Sequence, residues 1–159
     1  SWNETQGNII LTITWWVTEC VYGTSMNMNS QEVQIGIPYT FTWTFPSTWY
    51  CQDYDGIVWG WALTIQTADL YNENNNVISG SNLLISHDPV VIEGDSACTW
   101  YNGTPTQFYN SPYPMFTKNS GTNKICKASA SNVSLLVNVP ANQAPGNYSG
   151  TLTIYVPNF

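Results

Sequence analysis

Residues 39–45 read Tyr-Thr-Phe-Thr-Trp-Thr-Phe, an aromatic side chain at every odd position and a threonine at every even one. A period of two sorts side chains into one apolar and one polar face only if the backbone is extended, because successive strand residues point to opposite sides. Aromatic and β-branched residues also suit a pleated surface. Pro38 and Pro46 bracket the run, as prolines do at strand ends and edges.

The same period recurs along the chain. Residues 8–19 put Ile9, Leu11, Ile13, Trp15 and Val17 on one face, with Thr12, Thr14, Trp16 and Thr18 on the other. Residues 32–37 alternate through Val33, Ile35 and Ile37, and residues 57–67 through Ile57, Trp59, Trp61, Leu63 and Ile65. Shorter strands are predicted at 82–86 and 89–93. Two more close the chain, one through Val133, Leu135, Val137 and Val139, the other through Tyr148, Leu152, Ile154 and Val156. Helix signals are nearly absent. Residues 102–127 are dense in Gly, Pro, Asn and Ser and read as a long irregular excursion. Many short strands joined by Gly/Pro turns predict an all-β fold, an antiparallel β-sandwich of immunoglobulin-like type.

Charge is scarce: three Lys, no Arg and ten Asp or Glu among 159 residues. The formal charge of −7 argues against nucleic acid and anionic membrane, which attract basic patches. No apolar run approaches the roughly 18 residues of a membrane span. With no initiator Met and no leader pattern, Ser1 reads as a processed end. Cys20, Cys51, Cys98 and Cys126 contain no CxxC pair, so two disulfides are expected and zinc is not. Three pairings are open. Cys20–Cys51 with Cys98–Cys126 is favoured because it staples the chain as two halves and ties the ends of the excursion. Sequons at Asn3, Asn102, Asn132 and Asn147 are candidate N-glycan acceptors in an extracellular protein.

Groups for chemistry are few. His87 is the only histidine, and on a strand its neighbour Asp88 would point the other way, so a triad is not expected. Asp53-Tyr54-Asp55-Gly56 and Glu93-Gly94-Asp95 are acidic turns without the remaining ligands of a calcium loop. They do not pair into the two flanking carboxylates that glycoside hydrolysis needs. Trp15, Trp43, Trp59 and Trp61 fall at core positions, whereas Trp2, Trp16, Trp49 and Trp100 are less constrained. An intramolecular lysine cross-link needs a Lys, an Asn or Asp, and an acid together in an apolar core, and Lys118, Lys124 and Lys127 all fall in the irregular stretch. The expectation is a chain that is not an enzyme, with no catalytic residue, metal or cofactor.

Residues 1–14 are read as a donor strand, with Ile9, Leu11 and Ile13 filling a groove in a neighbour, and 15–159 as one sandwich domain. In donor-strand complementation each subunit gives its strand to the next, so contacts run head-to-tail and the assembly is open. The N-terminal strand Ile9 to Val17, the alternation Tyr39 to Phe45, and the ending Ala144-Pro-Gly-Asn-Tyr-Ser-Gly-Thr-Leu-Thr-Ile-Tyr-Val156 resemble the extracellular filament subunits of archaea, of thread and bundling-pilus type. That resemblance implies a pilin-like sandwich, N-linked glycans and copies of itself as partners in an adhesive cell-surface filament. The other expectation is a monomeric secreted carbohydrate-binding or adhesin domain.

Overall fold

The computed structural model describes residues 18–23, 28, 32, 34–53, 60–94, 98–120 and 126–157. Most of the alternating segments become strands where they are described. In chain order these are β1 (Thr18–Val21), β2 (Tyr39–Thr44), β3 (Trp49–Asp53), β4 (Trp61–Thr67), β5 (Leu70–Tyr71), β6 (Val77–Ile78) and β7 (Leu83–Ser86). They continue as β8 (Val91–Gly94), β9 (Cys98–Trp100), β10 (Thr106–Gln107), β11 (Tyr113–Lys118), β12 (Cys126–Ala130), β13 (Ser134–Val139) and β14 (Leu152–Tyr155). The only helical element among the described residues is a short 3₁₀ turn, Gly80–Asn82.

Three four-stranded antiparallel sheets result, with orders β1-β3-β12-β8, β10-β7-β13-β2 and β14-β4-β11-β9, beside the β5-β6 hairpin. The first two repeat one lateral order, since β3, β12 and β8 are the chain continuations of β2, β13 and β7. They are therefore two halves of one long layer, broken along a transverse line. Pro46, Pro89 and the left-handed Asn132 (φ 52°) mark the break on its three passes. Two backbone hydrogen bonds cross the line and hold register, Phe45 N to Val133 O at 2.8 Å and Asp88 N to Ser131 O at 3.0 Å. The third sheet is the opposing layer.

The core fills the space between the layers. Leu63, Ile65, Met115, Phe116, Trp49 and Trp61 are fully buried. Trp43, Phe45 and Trp49 form a chain of edge-to-face rings at 4.6 and 5.0 Å, a favoured aromatic geometry. The all-β sandwich class thus matches the fold. The excursion is narrower than 102–127, because β11 runs through it as an interior strand between β4 and β9. A bulge between Pro114 and Phe116 turns both Met115 and Phe116 inward, which breaks the alternation. The strand predicted at 32–37 is not one where it is described. Ile35 and Gly36 form a turn, with Gly36 at φ 81° and Ile35 94% exposed.

Candidate functional site

The two halves of the sandwich present different surfaces. Between the β2 half and the opposing layer lies an open cleft of about 1200 Å³. Its floor is apolar: Leu83, Leu135 and Val137 from β7 and β13, with Leu70 and Ile78 from the hairpin. Phe41 of β2 and Leu152 of β14 also line it, and both strands end their sheets. Edge strands carry a row of backbone N–H and C=O groups not taken up by their own sheet. Glu32, Gln34, Asn142 and Asn147 make a polar rim. Alternation in the sequence shows which side chains point inward. It does not show that two edge strands share one cleft, which is a property of topology.

The other half is tied across. Cys98 of β9 is joined to Cys126 of β12, and Cys20 of β1 to Cys51 of β3, so the nearest-neighbour pairing is the one present. Beside the first bridge, Lys118 Nζ of β11 meets Asp53 Oδ2 of β3 at 2.5 Å, with the two side chains 0% and 1% exposed. Lys118 lies opposite Cys98 and Trp61 in its sheet, and Asp53 opposite Thr18. The sequence reading placed every lysine in irregular chain. The structure puts Lys118 at the inner end of β11 and Lys127 on β12. Strand alternation carries Trp49, Cys51 and Asp53 inward together, because inward direction follows from period and not from polarity. Asp53 is thus engaged by a cation, and no group of three or more metal-ligating side chains occurs among the described residues.

His87 is buried at the transverse break. Its Nδ1 lies 2.7 Å from the Asp88 carbonyl, which can only accept, so Nδ1–H donates. Nε2 is then left to accept the Tyr113 hydroxyl at 2.7 Å. Burial lowers the His87 pKa, against smaller opposing effects of the Asp88 carbonyl and charge. Burial also pushes Tyr113 up to about 12. The Asp88 carboxylate turns elsewhere, accepting from Asn132 Nδ2 at 2.7 Å and Ser131 Oγ at 3.2 Å. Gly103, at φ 85°, packs so closely on this unit that a Cβ would lie 2.0 Å from the His87 carbonyl oxygen.

Asp69 and Glu73 are surface carboxylates shifted downward. Asp69 accepts from the Gly80 N–H and from tyrosine hydroxyls, and Glu73 accepts from its own and the Asn147 N–H. A general acid in glycoside hydrolysis needs the opposite shift. Asn102, Asn132 and Asn147 are exposed. Trp100 is half-exposed, whereas Trp49, which the sequence left open, is in the core. Asn3, Ile9, Leu11, Ile13, Trp2, Trp15, Trp16, Trp59, Asp55, Asp95 and Lys124 lie outside the described residues.

Residues 61–156, more than half of the chain, match the glycoside hydrolase 123 N-terminal domain, and the chain belongs to that family. Four solved chains match it. One comes from a structural analysis of glycolipid glycan hydrolysis by a family 123 glycoside hydrolase of Clostridium perfringens. It has 19% identity and a TM-score of 0.38, with 77% of this chain and 19% of that chain covered. The chain therefore spans about a fifth of that protein. No curated protein matches. The expectation of a chain that is not an enzyme is overturned by the family match, which makes this a glycoside hydrolase-related protein matched through an N-terminal domain.

Proposed function

We propose that the chain is the sandwich module of a glycoside hydrolase-related extracellular protein, and that it takes up a β-strand in the cleft between β2 and β14. The observation that carries this reading is that two edge strands line one apolar cleft. A strand laid there would pair with an edge and drop alternate side chains onto Leu83, Leu135 and Val137, the mode of β-strand addition. The inward residues of β2 and β14 are only half-buried, as the sides of an uncompleted core would be. The two disulfides suit an oxidising compartment.

The donor of choice is segment 1–14 of another copy, with Ile9, Leu11 and Ile13 facing the cleft. Given by each copy to the next, it builds an open head-to-tail filament for adhesion or cell contact. Exposed Asn102, Asn132 and Asn147 would then carry its glycans. Electron microscopy of the full chain should show fibres, and deletion of residues 1–14 should remove them. The truncated protein should bind a synthetic 1–14 peptide and lose that binding when Leu11 in the peptide becomes Glu. Fibres from the truncated protein, or unchanged binding of the Leu11→Glu peptide, would overturn the reading.

A second reading rests on Trp100 and Tyr101, adjacent and 49% and 48% exposed. Aromatic faces of this kind offer a platform for sugar rings in a carbohydrate-binding module. Glycan titration should quench tryptophan fluorescence in the native protein and not in Trp100→Ala. An unchanged signal in the native protein would remove this reading.

A further inference from the structure

We infer that Lys118 and Asp53 are the two halves of an intramolecular amide cross-link joining β11 to β3. Three observations meet here. Nζ and Oδ2 stand at 2.5 Å, a hydrogen-bond contact that holds Nζ against the Asp53 carboxyl group it would attack. Both side chains are withdrawn from water, at 0% and 1% exposure. Trp61 and Cys98, opposite Lys118 in register, are buried, and so is Cys51, two residues before Asp53 on β3. The pair also links opposing layers beside the Cys98–Cys126 bridge, a place where a covalent tie has mechanical effect.

Burying two opposite charges carries a large desolvation penalty, and their attraction offsets it only when the geometry is excellent. Passing one proton from the ammonium to the carboxylate removes both charges and leaves an amine against an acid. The neutral Nζ attacks Cγ of Asp53, forming the Nζ–Cγ bond. The Cγ–OH bond breaks, and the hydroxyl leaves with a proton from the nitrogen as one molecule of water. No redox partner is needed. Fixed proximity replaces a bimolecular encounter, a gain that can reach about 10⁵–10⁸ M in effective concentration. Exclusion of water from the core opposes the reverse hydrolysis. The product is a neutral amide where an ion pair stood. This chemistry is separate from strand uptake and does not rest on it.

Intact mass spectrometry of the full chain, made without glycans and measured denatured after disulfide reduction, reads the bond directly. The native chain should be lighter than its sequence mass by one water, about 18 Da. Digestion should yield one branched peptide joining the segment around Asp53 to that around Lys118. Lys118→Arg should restore the full sequence mass even if poorly folded. Asp53→Asn should instead lose one ammonia, because the amide leaving group differs. A native chain at its full sequence mass, with separate Asp53 and Lys118 peptides, would establish an ordinary buried ion pair and overturn the inference.

Discussion

One half of the sandwich is closed and the other is open. In the half built from β3, β12 and β8, a disulfide and the Lys118–Asp53 contact both cross between layers, and the inward residues of β3 and β12 are fully buried. In the half built from β2, β13 and β7, no cross-layer bridge occurs among the described residues, and the facing strands β2 and β14 bury their inward residues only partly. The two halves share one layer and differ by a kink of a few residues. The contrast teaches that this domain gathers its cross-layer ties in one half and its open apolar cleft in the other. Rigidity is held at one end, so that the other can leave apolar area and edge strands available.

The largest expected effect lies in the closed half. Lys118→Met removes the group that ties the buried Asp53 across the layers, as ammonium or as amide, and should cost about 3–5 kcal/mol in chemical denaturation. A loss below about 1 kcal/mol would show that the two ends are held alike. Next comes removal of the bridge by Cys98→Ser with Cys126→Ser. For a sequence separation of 28, the entropy of the freed unfolded chain predicts a loss of about 3–4 kcal/mol.

In the open half, Leu152→Ala should cost only about 1 kcal/mol in the absence of a donor strand, because its side chain is half-covered. With a strand seated, the same substitution should cost about 2–5 kcal/mol, as for a fully buried leucine. Denaturation of the truncated protein with and without the 1–14 peptide measures that difference. An equal cost in both states would mean that the strand does not cover Leu152.

About half of the strands were legible in the sequence, and the reason is specific. At Tyr39–Thr44 the alternation is unbroken, and at Ser134–Val139 only Leu136 departs from it, so direction follows from period. Tyr113–Lys118 was hidden because Pro114 sits at a bulge and the bulge turns two consecutive residues inward. The apolar alternation at 33–37 misled because Gly36 at positive φ makes a turn that hydrophobicity does not report. The cleft and the Lys118–Asp53 contact were not legible, since each depends on which strands become neighbours across layers. Hydrolase kinship was not legible either, for no paired carboxylate motif carries it. It resides in the pattern of residues 61–156 taken together.

The smallest expected effect sits on the line between the halves. His87 is held neutral between the Asp88 carbonyl and the Tyr113 hydroxyl, with the Asp88 carboxylate engaged by Ser131 and Asn132. Its folded pKa is lowered, so between that value and the ordinary one near 6.5 the unfolded chain binds more protons. Its contribution to stability is therefore complete above about pH 6.5 and declines as pH falls below it. Tyr113 works at the other limit. Raised to about 12 from an ordinary value near 10, it makes stability decline as pH rises through that interval. Asp69 and Glu73, both lowered, add a loss only below the carboxylate range, so the histidine step is separable from them. Denaturation midpoints should fall modestly between pH 7.5 and pH 5, and this fall should flatten in His87→Gln. A fall of the same size in the variant would move the acid sensitivity away from the junction and into one of the two halves.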